Sequence, residues 1–232
     1  MPKPLMTRRQ FVTLAATGTV LATAQTASAQ SGFLHWMGRW NERVERLLFR
    51  ADRLGAELPP AATTPVDAFP SYFISDTMPV APDGWVLKVG GRVARPRTFS
   101  VEQLEHMART DMRVRHHCVE GWSAVAAWHG VRLRDVAEAV GADPQAPYVE
   151  FRSFDAGYWS SWDRESALHR QTLLAYGMNG TPLTPNHGAP VRLYSAVKLG
   201  YKMVKYVTEV NFLSERTGGY WEDQGYEWFG GV

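Results

Sequence analysis

The sequence predicts an α+β fold, mixed β-sheets with few helices, preceded by an amphipathic helix. Three observations carry this expectation. Short β-rich runs follow one another from Val66 onward without regular strand–helix–strand crossovers. Few helix signals interrupt them, each tied to a cap residue. And 232 residues with 45% hydrophobic content suffice for one substantial core plus at most a small appendage. The organisation expected is a signal peptide over 1–29, an amphipathic helix over 30–58, a linker over 59–65 and one domain over 66–232.

The leader comes first. Thr7-Arg8-Arg9-Gln10-Phe11-Val12 is a twin-arginine motif, the stretch from Phe11 to Ala24 is mildly apolar, and Ala27-Ser28-Ala29 offers a cleavage site before Gln30. The apolar stretch is shorter than the roughly 20 residues that span a bilayer. These features predict export to the periplasm in a folded state. Phe33, Met37, Trp40, Val44, Leu47, Ala51, Leu54 and Leu58 then recur in steps of four and three, one face of a helix of about seven turns. Arg39, Arg43, Arg46, Arg50 and Arg53 form a basic stripe beside it. Such a helix packs on its own domain or docks on a membrane partner or an anionic lipid surface. Pro59-Pro60-Ala61-Ala62-Thr63-Thr64-Pro65 breaks it and reads as a linker.

Within the domain, Trp85 to Val89 is β-rich and ends at Gly90-Gly91. Ser100 and Gln103 make a capping box for a short helix through Met107. Met112 to Val119 reads as a strand that delivers Cys118 to its end, and Val131 to Val140 as a helix closed by Gly141. Tyr148 to Phe151, Thr172 to Tyr176, Val191 to Tyr194 and Val204 to Phe212 are further strands. In the last, the alternation of Val204, Tyr206, Thr208, Val210 and Phe212 predicts one buried face.

Charge argues against nucleic acid as a partner. Residues 1–29 hold Lys3, Arg8 and Arg9 and no acid, so the basic pI of 8.7 belongs largely to the leader. The informative residue is the single cysteine, in Arg115-His116-His117-Cys118-Val119-Glu120-Gly121-Trp122. A lone cysteine forms no internal disulfide and is either a small buried hydrophobe or a ligand. The neighbouring cations predict a lowered thiol pKa, and the thiolate binds soft metals. Downstream, His187-Gly188-Ala189-Pro190-Val191-Arg192-Leu193 and Lys198-Leu199-Gly200-Tyr201-Lys202-Met203-Val204-Lys205 set cations around glycine bends, the composition of a phosphate site. These residues alone point to an exported soft-metal or anion site of unspecified chemistry.

The Cys118 segment, Leu173-Leu174-Ala175-Tyr176-Gly177-Met178-Asn179-Gly180-Thr181-Pro182-Leu183 and the His187 to Leu193 run together resemble the molybdopterin-binding domain of the sulfite oxidase family. The similarity covers roughly residues 69–215, and within the family the periplasmic protein-methionine-sulfoxide reductase catalytic subunits look most alike. The resemblance implies a molybdenum–molybdopterin cofactor with Cys118 as the protein's thiolate on the metal. It implies cofactor contacts from Phe73, Ile74 and Ser75, from Ser153, from His187 and Arg192, and from Met203-Val204-Lys205 at the phosphate end. Ser75 stands where many members carry arginine, His117 where the reductases carry arginine, and His187 where they carry asparagine.

The chemistry implied is oxygen-atom transfer: reduction of a sulfoxide-type substrate or, in reverse, sulfite oxidation. Glu120 is placed to handle protons, and His116 and His117 to tune the thiolate, line the pocket or pack. Trp122 and Trp128 read as core. With no haem-attachment motif and one cysteine, electrons are expected from a membrane haem b subunit. The reading of another class is a non-catalytic periplasmic binding module that keeps the fold.

Overall fold

A computed structural model describes residues 36–38 and 40–232. The leader over 1–29 lies outside the described residues, as do Phe33 and Arg39. The chain divides into two units, residues 1–47 and 48–232. Residues 36–38 and 40–48 are helical (α1), the last of them the first residue of the second unit. Trp36 and Trp40, one turn apart, stack with ring centroids 6.4 Å apart. The apolar face bears exposed Met37, Trp40 and Leu47.

The helix does not run on to Leu58. Past residue 48 the backbone groups are taken by the rest of the second unit. His169 Nε2 lies 2.9 Å from the Arg53 carbonyl, Gln171 both accepts from the Gly55 amide (2.7 Å) and donates to its carbonyl (3.0 Å), and the Leu58 amide donates to the Arg113 carbonyl. These bonds outweigh helical periodicity, which here lacks a buried face to support it. The segment expected as a linker is a docked strap. The Thr64 amide donates to the Val125 carbonyl, the Val125 amide donates to Thr64 Oγ1, and Asn179 Nδ2 donates to the Thr64 carbonyl.

The second unit is built on two five-stranded sheets. The first has the order β2-β1-β10-β5-β6, from Arg97–Phe99, Leu87–Gly91, Val207–Leu213, Tyr148–Ser153 and Trp159–Asp163; β1 and β10 are parallel and the other pairs antiparallel. The second runs β3-β4-β7-β8, from Arg109–His117, Ser123–Arg132, Thr172–Met178 and Thr181–Pro182, with β9 (Arg192–Ser195) also on β7. One buried cluster joins them: Leu87, Val149 and Phe212 from the first sheet, Val131, Leu174 and Leu193 from the second, and Val136 and Val140 of α3 (Leu133–Val140). Many strands and few helices confirm the α+β expectation.

Local signals hold where the cap chemistry is explicit. Helix α2 (Val101–Glu105) carries both capping-box bonds between Ser100 and Gln103, and α3 ends at Gly141 with φ 63°. The helix α4 (Arg164–Ala167) is capped by Asp163. Two differences have clear causes. Val131 and Arg132 belong to β4, so α3 starts at Leu133. Strand β10 starts at Val207, after Tyr206 at φ 57°, and a bulge between Val207 and Glu209 buries Val207, Val210 and Phe212 instead of an unbroken alternation.

Candidate functional site

Strand β3 alternates its faces, so His116 points inward with Met112 and Val114 while His117 lies on the other face with Arg113 and Arg115. β3 pairs with β4 up to His117 opposite Ser123. Cys118 to Trp122 form the connecting turn, closed by the Cys118 amide donating to the Trp122 carbonyl (3.0 Å) and the Gly121 amide to the Cys118 carbonyl (3.1 Å). The hairpin therefore fixes the one thiol at its tip. Cys118 Sγ is half-buried and 3.7 Å from Glu120 Oε2, which also accepts from Trp122 Nε1 at 2.9 Å.

The thiol pKa contradicts the sequence expectation. Burial pushes it up, as does the Glu120 carboxylate, against the opposing pull of the Val119 and Glu120 backbone amides. Arg115, expected to lower it, faces away and donates to Ser123 Oγ instead. The His116 ring is held neutral, its pKa dropped to about 3 by burial, then by Arg192 and His117.

Beside Cys118 lies a cavity of about 340 Å³. Its wall includes two cations with unusual surroundings. Arg192, on β9, is 5% exposed; its Nη1 donates to the His187 carbonyl (3.2 Å) and its guanidinium lies 4.9 Å from the Trp128 ring centre. Lys205 Nζ donates to the Asn186 carbonyl at 2.9 Å and lies 5.7 Å from the Phe73 ring centre. Among the described residues, neither forms an ion pair with a carboxylate. Burial, then repulsion by Arg192, drops Lys205 to about 7, and burial drops Arg192 to about 10. A buried cation without a counter-ion, as Arg192 is, is costly unless an anion joins it, and half-buried Lys205 beside it adds to that cost.

Glycines let the wall close up. A Cβ at Gly188, which sits at φ 99°, would come within 3.0 Å of Lys205 Cβ and 3.1 Å of Arg192 Cβ; one at Gly200 would stand 2.7 Å from His116 Nε2. The segment carrying Phe73 and Ile74 is pinned by buried Asp155, which accepts from the Ile74 amide (2.8 Å), the Ser75 amide (3.1 Å) and Ser75 Oγ.

Of the site residues read from the sequence, Phe73, Ile74, Cys118, Glu120, His187, Arg192, Met203 and Lys205 line the cavity. Four do not. Ser75 spends its hydroxyl on Asp155, and Ser153 Oγ donates to the Lys205 carbonyl while accepting from the Asp155 amide. Val204 is core, its carbonyl accepting from the Leu193 amide, and strand alternation turns His117 away. Lys198 and Lys202 do not line the cavity either: Lys198 pairs with Asp163 at 3.3 Å and Lys202 with Glu222. Trp128 is core, as expected, whereas Trp122 is half-buried and lines the cavity. Sequence reading missed Asp155, Tyr158, Trp221 and Tyr226 on the wall. Asp155 followed closely by Gly157 carries only a turn signal, and isolated aromatics near a C-terminus carry none.

These residues fit a large anionic cofactor that brings its own metal ligands. One thiol and two cations without a carboxylate partner line one cavity, and the His116 ring on its wall carries Nδ1, a buried atom with no hydrogen-bond partner. Among the described residues, no group of three or more His, Cys, Asp or Glu side chains could hold a metal unaided. The fold and site thus define a protein with one cavity suited to a large anionic cofactor, with a single thiol on its wall.

Comparison with known proteins gives the family. Residues 75–221 match the oxidoreductase molybdopterin-binding domain, and the chain belongs to this family: it is a molybdopterin-dependent oxidoreductase of the sulfite oxidase type, with molybdenum–molybdopterin as cofactor. It is 37% identical over 211 residues to the putative protein-methionine-sulfoxide reductase subunit YedZ1 of Azospira oryzae, covering 90% of this chain and 80% of that protein. It is 35% identical over 154 residues to the protein-methionine-sulfoxide reductase catalytic subunit MsrP of Xanthomonas axonopodis pv. citri, covering 60% of this chain and 48% of that one. The chain thus spans about half the length of that MsrP. The sulfane dehydrogenase SoxCD from Paracoccus pantotrophus shares the fold, with a TM-score of 0.62 at 21% identity over 71% of this chain and 46% of its own. No described helix is long and apolar enough to cross a membrane.

Proposed function

We propose that this protein is a periplasmic enzyme, exported by the twin-arginine route, that reduces a sulfoxide with electrons from a membrane haem b partner. The observation that carries the substrate class is the Cys118–Glu120 pair, Sγ to Oε2 3.7 Å, in the cavity. A carboxylate beside the metal-binding thiol repels a sulfite dianion and leaves a neutral sulfoxide free to approach. The names of the YedZ1 and MsrP relatives support the same class. The twin-arginine motif and Ala27-Ser28-Ala29 support export. The exposed apolar face of α1 supports a docking role toward the membrane partner.

In this reading Cys118 would hold the molybdenum, and Arg192 and Lys205 the anionic phosphate end. When bound, the cofactor supplies the two-electron step by which a sulfoxide, two protons and two electrons become a sulfide and water. The chain's own residues bind, orient and move protons. Asp155 and Ser153 fix the backbone around the phosphate cations. Glu120 Oε2, oriented by Trp122 Nε1, is the group placed to pass protons at the thiol.

Steady-state assays on the holoenzyme test this, with methionine sulfoxide and a reduced viologen beside sulfite and an electron acceptor. Sulfoxide turnover lost in Cys118→Ser, with the pterin retained, is the result expected, since serine offers a harder oxygen ligand. Sulfite oxidation without sulfoxide reduction would overturn the substrate.

A further inference from the structure

The cavity described above has a third component that neither the thiol nor the cations explain. Three aromatic rings from distant parts of the chain meet on its wall. Tyr72 follows the strap, and Trp221 and Tyr226 belong to the C-terminal arm beyond β10. The Tyr72 and Trp221 ring centres are 6.0 Å apart and those of Trp221 and Tyr226 5.1 Å. Tyr72 is 61% and Tyr226 39% exposed, so the frame is open to solvent.

The arm is held by buried polar contacts. Glu222, the residue after Trp221, pairs with buried Lys202 and accepts from Ser160 Oγ. The Tyr220 amide donates to the Trp159 carbonyl, the Tyr226 amide to the Trp221 carbonyl, and Tyr201 Oη to the Glu227 carbonyl. On the other side, Asp155 pins the backbone of Ile74 and Ser75 just beyond Tyr72. Large rings left part-exposed on so firmly fixed a backbone form a preorganised apolar surface.

Resting on the sulfoxide reading, we propose that Tyr72, Trp221 and Tyr226 are specificity-determining residues that grip the alkyl arm of the substrate, selecting a methyl sulfoxide side chain presented on a peptide. Ring faces attract polarisable sulfur and its methyl and methylene neighbours. They offer nothing to a small inorganic oxyanion. The exposed edge of the frame leaves room for the peptide backbone outside the cavity.

The test uses the molybdenum-loaded protein with N-acetyl-methionine sulfoxide methylamide as substrate and a reduced viologen as donor. Trp221→Ala and Tyr226→Ala should each raise the substrate KM about five- to tenfold, with kcat within about twofold and the viologen KM unmoved. Trp221→Phe should restore most of the KM, and all variants should keep the wild-type molybdenum content. A merely structural role for these rings would lower kcat or metal content and would not be rescued by phenylalanine; that pattern, or an unchanged KM, would overturn the proposal. A wild-type enzyme that oxidises sulfite and reduces no sulfoxide would instead contradict the underlying reading, and the proposal with it.

Discussion

Two pairs of cations, a few residues apart in sequence, behave in opposite ways; three are buried and Lys205 is half-buried. Lys198 and Lys202 each meet a carboxylate, Asp163 and Glu222, in sites where both partners are buried. Arg192 and Lys205 are turned toward the cavity and meet carbonyl oxygens and aromatic rings instead. All four have depressed pKa values, with burial the first cause in each. What separates them is the partner: carboxylates pull the first two back up, whereas Arg192 is raised only by neighbouring tyrosines and itself pushes Lys205 further down, against a weaker pull from Asp155. The first pair is complete within the fold. The second has no carboxylate partner among the described residues, and in the proposed reading the cofactor's anionic end completes it.

The sharpest way to break this contrast is Glu222→Ala. It strands Lys202 as an unpaired buried charge and should cost about 3–5 kcal/mol in urea denaturation of apo and holo protein alike. Molybdenum per folded chain should be kept. Loss of the metal with unchanged stability would show that Lys202 belongs with the cofactor cations.

A smaller effect separates the pairs by pH. Lys205 sits at about 7 in the folded protein and at its ordinary, higher value when unfolded. Between those values the unfolded chain binds more protons, so apo stability rises with pH through that window. Arg192 and Asp155 are the charged groups acting on it. Lys205→Met should flatten part of this rise in apo protein, whereas in holo protein the bound anion keeps Lys205 charged and removes the difference. Melting temperatures from pH 7 to pH 9.5 measure it, and equal slopes in apo wild type and Lys205→Met would contradict the assignment.

The same contrast shows what was legible in the sequence. Arg192 and Lys205 could be named from their glycine-bend setting and the family resemblance, because Gly188 and Gly200 mark real close approaches. Lys198 and Lys202 look identical in sequence; only the fold, by bringing Asp163 and the C-terminal Glu222 to them, shows that they are spent. Strand β4 was invisible for a different reason. Its run Ser123-Ala124-Val125-Ala126-Ala127 is rich in alanine, which carries no strand preference, and its register with β3 comes from the Cys118 hairpin. The helix overshoot past residue 48 was a true periodicity overruled by Gln171 and His169, more than a hundred residues away. The fold class, the capping box, Gly141 and the Cys118 position were all local, and local chemistry sufficed for them.

The central claim is that Arg192 and Lys205 are counter-ions to a molybdopterin phosphate beside the Cys118 thiol. The most direct measurement is the molybdenum and pterin content of purified Arg192→Ala beside wild type, with apo stability measured in parallel. Losing a charge-assisted anchor worth about 2–3 kcal/mol should empty most of the sites. The apo protein, relieved of a buried cation without a carboxylate, should be no less stable once the lost packing on Trp128 is allowed for. Wild-type molybdenum and pterin content in a folded Arg192→Ala protein would contradict the account.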